Sequence, residues 1–265
     1  MNQLIKIIKN RSDFLNPYKE GLRIIGSRLL WDFNLQSIIS RNKLKKFKNK
    51  YRNKKVVILC NGPSLNKVDF NLLNNTFTFG LNKINLLFKR SEFRPTFIVS
   101  CNPYVIEQNA HFYNSTKIPL FLDSIALINN HVKPRKNIVY MHSTSRGFAR
   151  DCSISIYNGY TVTYVALQLA FHMGFKEVAL VGADHYFKTK GLSNNLVDAD
   201  EVDNNHFDKR YFSGNMKWEL PDLLNSEVSY SLAKENYEAF GRKIYNATVG
   251  GNLELFDRIN LKDFI

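Results

Sequence analysis

Hydrophobic residues in this chain come in short blocks, separated by polar loops rich in Asn, Gly and Pro. Val56-Val57-Ile58-Leu59 is the clearest block, and a continuous apolar run of that length reads as a strand buried on both faces of a parallel sheet. Thr76 to Asn82, Pro95 to Pro103, and residues 119–122 and 138–141 repeat the pattern. Val68 to Leu73 suggests a short helix, and Ile84 to Phe88 the start of another. Thr161 to Met173 reads as an apolar helix stopped by Gly174, followed by a strand over Glu177 to Gly182. An amphipathic helix over 226–241 and a short strand over 243–246 close the series. Strand and helix in alternation predict an α/β fold: a Rossmann-like, mostly parallel sheet with helices on both faces and right-handed crossovers.

Two segments depart from that alternation. From Lys188 to about Trp218 the chain is polar and irregular, and a loop this long in a compact domain is expected to be a lid or a disordered insertion. A lid over about 187–220 is therefore expected. At the other end, residues 17–39 carry Ile24, Trp31, Leu35 and Ile38 at helical spacing, with Leu22, Ile25 and Leu29 close by. Arg41 to Lys55 then forms a run of Lys and Arg broken by Leu44, Phe47 and Tyr51. The expected division is a basic amphipathic helical extension over 1–54 and a Rossmann-like domain over 55–265.

Charge changes this picture only once it is located. The net charge is +14, yet residues 1–55 hold 15 Lys and Arg against 3 Asp and Glu, a surplus of +12. The remainder is nearly neutral, which argues against nucleic acid as a partner. An amphipathic helix followed by a polybasic segment fits a peripheral anchor on an anionic membrane face through residues 17–55. The same pattern also fits a helix packed on the domain with a solvated basic linker. No apolar run reaches membrane-spanning length and no cleavable signal is seen. Cys60, Cys101 and Cys152 are too few and too scattered for a disulfide framework or a zinc site, which fits a reducing cytoplasm. The expected location is cytoplasmic, peripheral on the cytoplasmic face of the inner membrane if the extension binds lipid.

Candidate chemistry gathers at strand ends. In a doubly wound sheet the loop leaving the carboxyl end of the first strand is where nucleotides settle. Here that loop is Asn61-Gly62-Pro63-Ser64, with Gly62 expected to allow a positive φ and a close ligand approach, and Pro63 to fix the exit direction. Two further strands end on Asn82 and Asn102, so three neutral amides share one edge of the sheet and can read a base, a ribose hydroxyl or a phosphate. Asp198-Ala199-Asp200 superficially resembles a divalent-cation pair, but no strand precedes it and Glu201 and Asp203 crowd it, so a solvated acidic loop is expected. No metal ligand is assigned.

Asn61-Gly62-Pro63-Ser64-Leu65, then Asn82, then Asn102-Pro103, resembles the bacterial lipo-oligosaccharide sialyltransferases of glycosyltransferase family 42. Gly174-Phe175-Lys176-Glu177 through Gly182-Ala183-Asp184-His185-Tyr186 is similar to that family as well, and the likeness spans about residues 55–210. The resemblance implies a CMP-sialic acid donor held by the asparagines, Asp184 at the nucleotide, Tyr186 supporting the departing phosphate, and a homo-oligomer. Thr161 to Gln168, Asp184-His185, Asn205-His206-Phe207 and Asn246 to Gly251 resemble the 6-hydroxymethylpterin diphosphokinase-like family. Its members include surface-glycan proteins and flagellar nonulosonic-acid transfer factors, and the pterin enzyme itself transfers pyrophosphate from ATP.

With a CMP-sugar donor and a glycan acceptor, the leaving group is a phosphate monoester that hydroxyls and amides can stabilise without a metal or other cofactor. A base must then take the acceptor's proton, a task for histidine near neutral pH. His206 lies where the sialyltransferases keep their base. Family 42 carries two histidines in this segment with the later one catalytic, His206 aligns with the earlier, and Arg210 occupies the later place. His185, beside Asp184, is therefore a competitor, and a structural role for either histidine is open. The expected activity is metal-independent, inverting transfer of a sialic-acid-like sugar to a bacterial surface glycan. The rivals are a diphosphokinase or NDP-sugar transferase on the same fold, and a non-catalytic nucleotide-binding scaffold of a glycan-assembly complex.

Overall fold

The computed structural model describes residues 16–144, 147–189, 191–214 and 216–265. Strands β1 (Lys55–Leu59), β2 (Phe77–Leu81), β3 (Phe97–Ser100), β4 (Leu120–Asp123) and β5 (Ile138–Met141) are followed by two short ones, β6 (Ser143–Thr144) and β7 (Ile156–Tyr157). After them come β8 (Glu177–Val181), β9 (Leu196–Asp198), β10 (Lys217–Glu219), β11 (Lys243–Asn246) and β12 (Asp257–Arg258). Eight of them form one parallel sheet in the order β12-β11-β8-β1-β2-β3-β4-β5. This is the expected Rossmann-like α/β fold. The chain runs outward from β1 to β5, then returns to lay β8 against the other side of β1, so the switch point lies between β1 and β8.

Burial on both faces explains why the strands are legible as continuous apolar runs. Val56 and Ile58 point to one face with Phe79, Phe97, Phe121 and Leu180, covered by α6 (Val162–Met173) and α7 (Leu223–Ala239). Val57 and Leu59 point to the other with Ile98, Leu120, Leu122 and Ala179. Thr161 caps α6 through its hydroxyl, and Gly174 ends it in the left-handed region at φ 90°.

Several local expectations shift. The helix expected over 68–73 is instead two 3₁₀ turns, Pro63–Lys67 and Phe70–Leu73, and Ile84–Lys89 is also 3₁₀. The stretch 17–39 breaks into α1 (Pro17–Asp32) and α2 (Leu35–Phe47), because the Asn34 side chain accepts from the Gln36 N–H and starts a new helix. Ile24, Trp31, Leu35 and Ile38 are consequently not one stripe: Trp31 is core, whereas Leu35 and Ile38 are exposed. The basic run after α1 is built into the fold. Leu44 is buried, Phe47 and Tyr51 pack against the core, and Tyr51 stacks on Phe175. Residues 49–53 bond to the last carbonyls of α6, with the Tyr51 N–H donating to Met173 O at 2.8 Å.

The segment 187–220 is more ordered than its composition suggests. β9 and β10 pair antiparallel, and Phe207, Tyr211, Phe212 and Trp218 are buried together. Asp198 sits on β9 opposite Lys217, its side chain largely exposed. Among the described residues, no group of three His, Cys, Asp or Glu is placed to hold a metal ion, and no helix is long and apolar enough to cross a membrane.

Candidate active site

The carboxyl ends of β1 and β8 are tied by their backbones. The Cys60 N–H donates to Val181 O at 2.8 Å and the Gly62 N–H to Gly182 O at 2.9 Å. That pairing brings Asp184 against the turn after β1. Its Oδ2 accepts from the Ser64 hydroxyl at 2.7 Å, and both carboxylate oxygens lie within 3.3 Å of the Ser64 N–H. Ser64 thus positions Asp184 and does not itself line the cavity above. The expected role of Gly62 also changes. Its φ is −71°, not positive, and a Cβ there would lie 2.0 Å from Asp184 Oδ2. Glycine is required because the carboxylate occupies the side-chain space. Pro63 opens the 3₁₀ turn and is exposed.

Above these strand ends lies a cavity of about 380 Å³ lined by Asn61, Gly62, Asn82, Asn102, Thr161, Asp184, His185, Tyr186 and His206. The fold therefore brings every sequence-predicted site residue to one place except Pro63 and Ser64, which stand behind the wall. The three amides are not equivalent. Asn82 holds a left-handed conformation at φ 48° and accepts from the Ser100 hydroxyl at 3.2 Å. Asn102 ends no strand; it caps α3 (Pro103–Gln108) by accepting from the Val105 N–H, while its Nδ2 donates to Glu219 of β10 at 2.8 Å. Asn61 Oδ1 is buried and has no hydrogen-bond partner among the described residues. A buried amide oxygen left open costs about 1–3 kcal/mol, so it is a ready acceptor for a ligand's donor.

Thr161, Val162 and Thr163 present the amino end of α6 to the cavity, which favours an anion there. Just before them Gly159 and Tyr160 are both left-handed, at φ 54° and 64°. For a tyrosine this costs on the order of 1–2 kcal/mol. Asn158 and Tyr160 line the main cavity and also a second one of about 310 Å³, whose other wall includes Arg23, Ile24 and Ser27 of α1.

Two histidines line the main cavity, each paired with a carboxylate. His206 Nδ1 lies 2.7 Å from Asp203 Oδ2. Asp203 also accepts from the N–H groups of Asn205, His206 and Phe212. Burial alone would raise the Asp203 carboxyl, but the His206 contact and these N–H groups hold it below its usual value. The carboxylate fixes Nδ1 as the protonated nitrogen and leaves Nε2 to a substrate. The His206 ring stacks on Tyr211 at 4.1 Å, nearly parallel. His185 is built differently: it is left-handed at φ 53°, and its Nε2 is 2.9 Å from Glu227, a half-exposed carboxylate on α7. Tyr186, beside it, is 56% exposed. Arg210 pairs with Asp208 and does not line the cavity.

A buried lysine secures the lid. Lys83 Nζ donates to Tyr211 O at 2.6 Å and to Gln108 Oε1 at 2.7 Å, and Gln108 donates in turn to Lys217 O. Burial lowers the Lys83 ammonium to about 8, against the pull of Asp203. Sequence reasoning missed Asp203 as the partner of His206, the strained Tyr160, and Lys83. Only the first left a signal, an Asp three residues before a His in an Asx-type turn.

No curated protein sequence matches this chain. A solved structure of a Maf glycosyltransferase from Magnetospirillum magneticum AMB-1 is similar at 13% identity with a TM-score of 0.49, covering 88% of this chain and 39% of that one. The present chain thus spans well under half the length of that relative. The model of the 6-hydroxymethylpterin diphosphokinase MptE-like family matches residues 32–190, which include β1 to β8 and Asp184-His185-Tyr186. The match covers more than half of the chain, and the chain belongs to the MptE-like family.

Proposed function

We propose that this protein is a metal-independent, inverting glycosyltransferase that moves a sialic-acid-like nonulosonic acid from a CMP-sugar to a bacterial surface glycan. The observation that carries the reading is the Asp203–His206 pair on the lid, whose histidine lines the same cavity as Asn61 and the amino end of α6. His206 Nε2 takes the proton of the acceptor hydroxyl as its oxygen attacks the anomeric carbon. The bond from that carbon to the phosphate oxygen breaks, and CMP leaves as a phosphate monoester with inversion at the sugar. Amides, hydroxyls and a helix amino end are neutral or partial-charge donors, a set suited to a monophosphate leaving group. The choice of cytidine and of the sugar rests on the likeness of the asparagine motifs to family 42.

Family membership favours a second reading, pyrophosphate transfer from ATP to a pterin-like alcohol. A thermal-shift panel of CMP, CDP, UDP, GDP and ATP, with and without magnesium, separates the two. Stabilisation by cytidine nucleotides alone, independent of magnesium, is expected. Magnesium-dependent stabilisation by ATP would replace the first reading with the second. Nucleotide binding with no turnover of any donor would leave a scaffold.

A further inference from the structure

Helix α1 is amphipathic in the inverse sense. A helix at the surface of a domain ordinarily turns its apolar stripe to the core. Here Tyr18, Leu22, Ile25, Leu29 and Phe33 follow one another at steps of three and four residues, which places them on one side of α1. That side faces away from the protein: exposure runs from 48% at Leu29 to 87% at Phe33. The opposite side carries the buried Trp31 and, with Ile24 and Ser27, walls the smaller cavity. Leu35 and Ile38 of α2 are exposed as well, and its last turn brings Lys45 and Lys46, both exposed. Lys19 flanks the stripe on α1, also exposed, whereas Arg23 pairs with Glu20 on the cavity side. A contiguous apolar surface of this kind, rimmed by cations, marks an interaction site.

Charge selects the occupant. Residues 1–55 hold 15 Lys and Arg against 3 Asp and Glu. A second copy of the chain seated on this surface would bring the same cations face to face. An acidic lipid layer offers both missing complements, an apolar interior for the stripe and negative headgroups for the lysines. We infer that α1 and α2 dock on an anionic phospholipid bilayer, with α1 lying in the plane of the interface and its Leu22–Ile25–Leu29–Phe33 side among the acyl chains. Docking would hold the smaller cavity within about one helix diameter, some 10 Å, of the lipid headgroups. The inference does not depend on which reaction the main cavity carries out.

The test is co-sedimentation of the full chain with phosphatidylglycerol–phosphatidylcholine vesicles and with pure phosphatidylcholine vesicles, at low and high salt. Binding at least tenfold stronger to the anionic vesicles, and its release by salt, are expected. The triple change Leu22→Glu/Ile25→Glu/Leu29→Glu should abolish binding, and Lys45→Glu/Lys46→Glu should weaken it by at least about thirtyfold, since each surface cation contributes about 1 kcal/mol. Phe33→Trp gives a readout that needs no disruptive change: its fluorescence should shift to the blue on anionic vesicles and be quenched by brominated acyl chains. Indifference of the wild type to anionic vesicles at low salt overturns the inference. So does a Phe33→Trp signal unmoved by lipid, or dimerisation in solution that the triple change abolishes while vesicle binding persists.

Discussion

The two walls of the main cavity are built on different plans. On the strand-end wall, polar side chains are held by backbone and by each other: Ser64 grips Asp184 and Ser100 donates to Asn82. Asn61 Oδ1 is the buried acceptor left open there. On the lid wall, one His–Asp pair sits in a nest of aromatic rings, Tyr211, Phe212 and Trp218. The first wall offers fixed hydrogen-bonding positions, suited to recognising a ligand. The second offers a shielded, oriented imidazole, suited to moving a proton. The family match ends at residue 190, so it covers the first wall and stops short of His206. The two walls can therefore vary separately in such a fold, the one carried by the sheet and the other by the segment 187–220.

If that division holds, changes on the two walls should separate rate from affinity. The largest effect is expected from His206→Ala, with single-turnover transfer from CMP-sialic acid to a galactoside panel slowed by about 10²–10⁴-fold. CMP affinity, measured by calorimetry, should stay within a factor of two. His185→Ala should instead weaken CMP binding, because it stands beside Asp184 on the other wall. A His206→Ala enzyme that turns over normally, beside a His185→Ala enzyme that binds CMP and is dead, would exchange the two walls' roles.

Asn61→Ala comes next. It should cost about 1–3 kcal/mol of CMP affinity, as expected for losing one partner of a buried hydrogen bond. The rate at saturating donor should be nearly unchanged, and a normal affinity would remove Asn61 from the recognition wall. The smallest effect concerns the joint between the walls. Lys83 has a folded pKa of about 8, below its ordinary 10.5. Between those values the unfolded chain holds a proton that the folded one has released, so this group makes stability rise with pH. Wild type should gain up to about 1.4 kcal/mol relative to Lys83→Met between pH 8 and pH 9. Denaturant melts of both proteins read this as a difference, which cancels the buried thiols and phenols. Parallel pH profiles would show that burial does not lower the Lys83 ammonium.

What could be read from the sequence follows from how local each signal is. Strands buried on both faces must be apolar throughout, so β1 and β8 stand out without any knowledge of their partners. The ends of α6 are equally local, a capping threonine and a left-handed glycine. The break at Asn34 was hidden because apolar residues continue past it at nearly the same spacing. Asn102-Pro103 suits a strand end as well as a helix cap, and only the contact with Glu219 shows how the amide is used. The lid's order was illegible for a different reason. Trp218 meets Phe187 and His206 across an acidic, asparagine-rich stretch whose local composition favours disorder. Asp203 likewise looked like one more solvated acid until its chain turned back onto His206.

The pairing of β1 with β8 also dictates when this site can come into being. Ser64 and Asp184 are 120 residues apart in the chain, yet the Ser64 hydroxyl holds the Asp184 carboxylate at the edge of the cavity. During synthesis β1 to β5 can assemble as they emerge, each beside its predecessor, while the far side of β1 waits unpaired. Such long-range parallel pairing is slow and leaves an apolar strand edge uncovered in the interval. The nascent chain can thus own a sheet before it owns a pocket. Any ligand of the main cavity can engage only after both halves have docked, so binding would report on completion of the fold and draw late intermediates toward it.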